Sequence, residues 1–219
     1  MCYVTVLELM VRILKEYEQV VLLPEDLDGR IDFAQIFGRP GPIHIEVGSG
    51  KGTFLVNQAK AQPHANFLGI EWARKYYRFA VDRVGRWGLT NVRLIRTDAA
   101  SFLRDHTPDG SVDCFHIYFP DPWPKRRHHR RRFLCQANLD NLIRCLRPSG
   151  QIRIATDHAE YFDSIKRLVT AAGTLQEIEF FPTACAQVGE WVGTNFERKY
   201  LKENKAIYTL SVEKNNMAG

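Results

Sequence analysis

From Ile43 to about Ala172, short apolar runs alternate with longer amphipathic segments. The runs IHIEV from Ile43, NFLGIE from Asn66, VRLIRTD from Val92, VDCFHIYF from Val112 and QIRIATD from Gln151 read as five strands. Between them the spacing predicts a helix from about Thr53, one across Lys75 to Trp87, a short one around Ala100 to Arg104, one across Phe133 to Leu146 and one from Ala159 to Ala172. Near-continuous apolar strands joined by helical crossovers are the signature of a parallel sheet covered on both faces. After Gly173 the runs LQEIEFF and AIYTLSV suit two closing strands, paired antiparallel at one end. The expected fold is therefore α/β, a mostly parallel seven-stranded sheet with helices on both faces. Ahead of this pattern Leu7, Met10, Leu14, Tyr17 and Val21 recur every three or four residues and predict an amphipathic helix. Residues 1–30 are expected as a helical appendage and residues 31–219 as the main domain.

Composition narrows the class. A chain of 219 residues with 45% hydrophobic and 25% charged side chains can bury one large core, and extended disorder is excluded. The formal net charge is +5, yet KRRHHRRR from Lys125 to Arg132 alone carries six positive charges and no negative one. The basicity is thus one local patch, which implies a local anionic partner such as a phosphate backbone. Cys2, Cys114, Cys135, Cys145 and Cys185 are widely spaced and form no CxxC pair, which suits free thiols in a reducing cytoplasm rather than disulfides or a zinc site. Glu8, Arg12, Lys15, Glu16 and Glu18 interrupt the N-terminal apolar stretch, so neither a signal peptide nor a membrane span is expected.

Candidate chemistry gathers where strands end. Ile43 to Val47 leads into Gly48-Ser49-Gly50-Lys51-Gly52, a glycine-rich turn that lets a ligand approach the backbone. A P-loop needs glycine at position 45, where Ile45 stands, and a dinucleotide fingerprint needs glycine where Thr53 stands. The remaining pattern, Glu46-x-Gly48-x-Gly50-x-Gly52, is that of Rossmann-like class I methyltransferases, which bind S-adenosylmethionine. Glu71 ends the second strand, where a carboxylate can accept the ribose hydroxyls, and Asp98 ends the third, within reach of an adenine amino group. An acidic rim favours a cofactor carrying a sulfonium and an ammonium over a phosphorylated one.

The fourth strand runs into Phe119-Pro120-Asp121-Pro122-Trp123-Pro124-Lys125, where prolines on both sides hold Asp121 in extended or turn geometry. The string FPDPWPK followed by KRRHHRRR closely resembles the tRNA (guanine-N7-)-methyltransferase family, and the resemblance spans roughly Ile31 to Val212. It implies that Glu46, Glu71, Asp98 and Asp121 line the S-adenosylmethionine site and that Asp121 is catalytic. It further implies that Lys125, Asp157 and Thr194-Asn195-Phe196-Glu197 contact the substrate, a guanosine at position forty-six in the variable loop of tRNA. The arginine-rich N-terminal stretch of many bacterial relatives is not found before Ile31. Arg130 and Arg131 are expected on tRNA phosphates, and Trp123 and Phe196 against the base. Asp157, with Glu160 three residues on, also suits an N-cap with its capping-box partner, and TNFE also suits a solvated loop.

Guanine N7 carries a lone pair and no proton at neutral pH, so its attack on a methyl group needs no general base. The enzyme has to align the reactants and stabilise the cation that forms, work suited to a fixed carboxylate. No metal is expected, because no His/Cys cluster is evident by spacing. Two other classes compete: a catalytically silent RNA-binding subunit on a methyltransferase-like fold, and a phosphotransferase built on Gly50-Lys51-Gly52. The sequence requires no protein partner and no membrane.

Overall fold

Strand β2 (Ile43–Val47) lies between β3 (Asn66–Ile70) and β5 (Val112–Tyr118), parallel to both. The computed structural model that shows this describes residues 13–215. Outward from β3 come β4 (Val92–Ile95) and β1 (Val21–Leu22), both parallel, and outward from β5 comes β6 (Leu146–Thr156), also parallel. Beyond it β8 (Tyr208–Lys214) inserts antiparallel between β6 and β7 (Leu175–Ile178). The sheet order is β1-β4-β3-β2-β5-β6-β8-β7. All seven expected strands are present, and β1 is an eighth, joined to the edge by only two residue pairs.

The crossovers are α2 (Thr53–Ala61), α3 (Arg74–Arg86), α4 (Ala99–Asp105), α5 (Gln136–Cys145) and α6 (Ala159–Ala172), with α1 (Phe33–Phe37) ahead of β2 and α7 (Asn195–Lys202) before β8. Every residue of β3 is buried, as a strand covered on both faces must be. On one face Ile45, Leu68, Phe115 and Ile154 pack under α4, α5 and α6 residues such as Phe102, Leu139 and Ile165. Leu55, Val56, Ala80 and Val84 of α2 and α3 cover the other face. No described helix is long and apolar enough to cross a membrane.

The N-terminal helix differs from expectation. Leu7 and Met10 lie outside the described residues, and Leu14 and Tyr17 are not helical. Glu18–Val20 is a single 3-10 turn, and Val21 belongs to β1. Spacing alone misleads here because Tyr17 packs flat on α3: a Cβ at Gly85 would lie 2.1 Å from its ring. Val20 is buried by the same contact surface. The helix expected from Phe133 starts three residues later, at Gln136.

Candidate active site

The glycine turn is tied to the end of β3. Gly48 and Ser49 donate their amides to the Ile70 carbonyl, at 2.9 and 3.1 Å, and Gly50 donates to Glu71 Oε2 at 2.7 Å. Gly48, Gly50 and Gly52 all hold positive φ, and a Cβ on Gly52 would meet Ala80 of α3 at 3.0 Å, so the turn tolerates only glycine there. Glu71 also accepts from the Ala73 amide at 2.8 Å. Its carboxylate therefore braces the turn. Asp98 is exposed and caps α4, accepting from the Ser101 amide at 2.8 Å.

Above the turn is a cavity of about 260 Å³ lined by Glu46, Gly48 to Lys51, Thr53, Phe54, Tyr76, Tyr118, Phe119, Thr194 to Phe196 and Lys199. Glu46 is buried, and its Oε2 has no hydrogen-bond partner. Burial, and secondly the Glu71 carboxylate, push its pKa well above the usual carboxylate range. A buried acid with a spare oxygen and a negative neighbour is electrostatically incomplete, and a cation in the cavity would complete it. Glu46 therefore fits S-adenosylmethionine, a cofactor that carries positive charge. Glu71, Asp98 and Asp121 do not line this cavity.

The far wall is built by the C-terminal segment. Thr194 caps α7 through Oγ1, which accepts from the Glu197 amide at 3.1 Å. Glu197 is fully buried and accepts the amides of Trp191, Val192 and Gly193 at 2.5, 3.0 and 2.7 Å. Expected among the substrate contacts, it instead folds the loop that carries Asn195 and Phe196 to the cavity. The sequence cannot reveal this, because the amides that Glu197 satisfies belong to an irregular loop.

Beyond the cavity, Phe119 (φ 52°) and Trp123 (φ 44°) bracket the proline-fixed Asp121 in left-handed backbone that non-glycine residues seldom adopt. Asp121 is exposed and accepts no hydrogen bond from a described residue, so its carboxylate stands open to a ligand. It lies within electrostatic reach of Tyr200, as does Asp157. The Tyr200 ring meets Phe119 at 5.4 Å and Phe196 at 6.3 Å, so an aromatic trio adjoins both acids. Tyr118, Phe119, Tyr76, Lys199 and Tyr200 were not singled out from sequence. Phe119 opens the FPDPWPK string and Lys199 lies two residues beyond TNFE, which is the signal that could have found them. Asp157 does not cap α6: His158 does, its Nδ1 accepting from the Tyr161 amide at 3.2 Å.

The basic run divides into two parts. Arg126–Arg131 forms a 3-10 helix with no buried residue, so Lys125, Arg126, Arg127, Arg130 and Arg131 remain at the surface. Arg131 lies over the Trp123 ring at 4.9 Å, and His128 meets that ring edge-on at 5.9 Å. Trp123 is thus half-covered by its own chain. Arg132 is buried, paired with Glu160 at 2.5 Å, bonded to the Pro122 carbonyl at 2.8 Å and laid over Tyr161. It anchors the run and is not one of its free charges. Glu160, a capping-box candidate by spacing, is spent on this pair.

One grouping runs against the expectation that no His/Cys cluster exists. The sheet brings His44, Cys114 and His116 together, with ligand atoms within 4.8 Å of one another. These residues are on different strands or two apart on one, so no metal-binding spacing betrays them.

Comparison with known proteins follows the same lines. A family model described as a putative methyltransferase matches residues 40–210. The tRNA (guanine-N(7)-)-methyltransferase of Streptococcus thermophilus is 34% identical over 196 residues, spanning 90% of this chain and 91% of its own. The enzyme of that name from Rhodopirellula baltica is 34% identical over 197 residues, spanning 87% and 73%. Among solved structures, the 16S rRNA methyltransferase KamB superposes with a TM-score of 0.61 at 13% identity, over 84% of this chain and 93% of its own. A SAM-dependent methyltransferase from Aquifex aeolicus gives 0.55 at 15% identity, over 82% and 86%. These structural likenesses establish the Rossmann-like methyltransferase fold.

Proposed function

Because the chain belongs to the tRNA (guanine-N(7)-)-methyltransferase family, we propose that it transfers the methyl group of S-adenosylmethionine to N7 of a guanosine in tRNA, at position forty-six of the variable loop. The observation that carries this reading is Glu46, a buried acid with an unpartnered oxygen at a cavity behind a glycine turn. When bound, the cofactor supplies an electrophilic methyl carbon on a sulfonium.

The remaining work falls to this chain's residues. Glu46 offsets positive charge on the cofactor, while Glu71 and Asp98 hold its adenosine half. The Gly48 to Gly52 turn lets its backbone come close. On the substrate side, Phe119, Phe196 and Tyr200 offer ring faces to a guanine, with Trp123 at the outer edge. The N7 lone pair forms the new bond as the sulfur–carbon bond breaks, and positive charge moves to the guanine imidazole ring. Asp121 stabilises that charge, and Asp157 and Lys125 help hold the nucleotide. Lys125, Arg126, Arg127, Arg130 and Arg131 bind phosphates, a salt-dependent contact that positions without reading sequence. The base must leave the stacked tRNA core to reach this cleft.

Incubation with S-adenosylmethionine and unmodified tRNA, followed by mapping of N7-methylguanosine, tests the reading. A single modified guanosine at position forty-six is expected. Tight tRNA binding without cofactor binding would instead identify a silent RNA-binding subunit, and a rise in melting temperature with ATP alone would identify a phosphotransferase.

A further inference from the structure

Outside the acidic strand ends, the sheet carries a buried polar row that the chemistry above does not use. Alternation along β5 puts Cys114, His116 and Tyr118 on one face, and the register of β2 against β5 sets His44 beside Cys114 and Glu46 beside His116 on that face. His44 Nδ1 lies 3.0 Å from His116 Nε2, and His116 Nδ1 lies 2.7 Å from the Tyr118 hydroxyl. Phe54 of α2 covers the row, 4.8 Å from the His116 ring and 5.1 Å from Tyr118. One end of the row, Tyr118, is a wall of the cofactor cavity. The other, His44, opens on a separate cavity of about 260 Å³ with Gln58 and Arg153.

A metal ion is one reading of this row, since Cys114 adds a third ligand atom. The hydrogen bonds argue against it. His44 Nδ1 and His116 Nε2 are spent on each other and His116 Nδ1 on Tyr118, and the Arg153 guanidinium makes the surroundings positive. We propose that Tyr118 is a positioning residue for the cofactor, its ring fixed as a wall of the cavity by a buried hydrogen-bond chain through His116 to His44. The proposal rests on the cavity holding S-adenosylmethionine.

Burial keeps both imidazoles neutral, His116 well below its usual range and His44 down to about 4. A neutral imidazole has one donor and one acceptor nitrogen, so the chain has one of two polarities. Either Tyr118 donates to His116 and His116 to His44, or all donations reverse. In both, each ring's tautomer is fixed by the next member. A change at His44, two hydrogen bonds from the cavity and not part of its wall, therefore reaches the cofactor through Tyr118.

Calorimetric binding of S-adenosylmethionine to the full chain tests this. Tyr118→Phe keeps the ring and removes the hydroxyl, and His44→Leu removes the far partner. Each is expected to weaken binding about five- to tenfold, as loss of one buried hydrogen bond does. The double variant should bind no more weakly than the worse single one, because both cut the same chain. A purely packing role for His44 would give independent, multiplying losses, and that result, or Tyr118→Phe binding at wild-type affinity, overturns the proposal. Imidazole nitrogen NMR reads the chain without cofactor: one tautomer for each ring in the wild type, and mixed tautomers for His116 and His44 in Tyr118→Phe. Unchanged spectra would sink the relay even if the protein bound no S-adenosylmethionine, an outcome that would separately defeat the methyltransferase reading. One zinc bound per chelator-treated chain, with loss of the His116–Tyr118 bond, would also overturn it.

Discussion

The Asn195 side-chain amide donates to the Thr53 hydroxyl at 2.8 Å, across 142 residues of sequence. That bond clasps the first residue of α7 to the first residue of α2, which is the far end of the glycine turn. Thr53 also accepts from Arg83 of α3, so three helices meet at one hydroxyl over the cavity mouth. The C-terminal segment is thereby part of the cavity wall, although the glycine turn, Glu71 and Asp98 all precede Ala99.

Asn195→Ala removes the clasp and leaves both helices intact. Cofactor binding by calorimetry is expected to weaken about fivefold, the value of one hydrogen bond, with tRNA affinity unchanged. Equal cofactor affinity would show that α7 needs no clasp to close the cavity.

Much of this was legible in advance, because strands read from apolar runs and loops read from glycine and proline survive into three dimensions. IHIEV and the helix from Ala159 to Ala172 match residue for residue. The carboxylates at strand ends were legible for the same reason, being adjacent to punctuated turns. What escaped is burial of charge. Arg132 and Arg131 look alike in KRRHHRRR, yet only Arg132 meets Glu160 and the Tyr161 ring. Glu197 looks like one more polar residue of TNFE, and the three amides it satisfies are visible only after folding. His44 and His116 are 72 residues apart, and only strand register joins them.

Glu46→Gln should stabilise the protein and weaken its cofactor binding together. The carboxylate's pKa is raised in the fold, so stability is lost as pH rises from the usual carboxylate range towards that raised value. A neutral amide lifts that cost, and a higher melting temperature is expected at pH 8. Cofactor affinity should fall by about tenfold or more, since a charge-assisted contact is lost. A variant less stable than the wild type would mean the acid has a partner in the fold.

Arg132→Ala and a triple change of Arg126, Arg127 and Arg130 to Ser should behave oppositely. The first loses an ion pair between buried Arg132 and half-exposed Glu160, a carbonyl bond and a ring contact, and a destabilisation of about 1 to 3 kcal/mol is expected in chemical denaturation. The second should leave stability near wild type and lower the salt slope of tRNA binding by about 0.7 to 0.9 for each phosphate contact removed. Unchanged slope and affinity in the triple variant would make the 3-10 helix a solvated face.

Asp121→Asn keeps side-chain shape at a position where no described residue depends on the charge for a hydrogen bond. Folding and tRNA affinity should persist, while the single-turnover methylation rate falls about a hundredfold, the scale of one preorganised electrostatic contact. A normal saturated rate with weaker S-adenosylmethionine binding would make Asp121 a cofactor ligand only.

Stability should fall on mild acidification through the histidine pair. His44 is lowered from 6.5 to about 4, first by burial and then by Arg153, His64 and Arg147. Between those values the unfolded chain binds more protons than the fold, so this stabilisation is complete above pH 6.5 and is lost as pH falls to about 4. The amount is on the order of 3 kcal/mol. Glu46 works in the opposite sense, gaining its proton in the fold as pH drops, so the effect is cleanest in the Glu46→Gln background. There, His44→Asn should make the fall of the denaturation midpoint between pH 7 and pH 4.5 shallower, with buried His116 supplying the remainder; an equally steep decline would assign the acid sensitivity elsewhere.

The strand order also sets a timetable for biosynthesis. Among the described residues β7 has no neighbour in the sheet except β8, which begins after 29 intervening residues and must thread between it and β6. Until residue 214 has emerged, one long side of β6 carries unsatisfied backbone groups, and an exposed edge of that kind invites pairing with another nascent chain. α7 is translated in the same interval, so a chain stalled before it would carry the glycine turn, Glu71 and Asp98 without the wall that completes the cavity. Ribosome-bound chains halted there should be sticky and cofactor-blind, and both properties should vanish together once β8 is released.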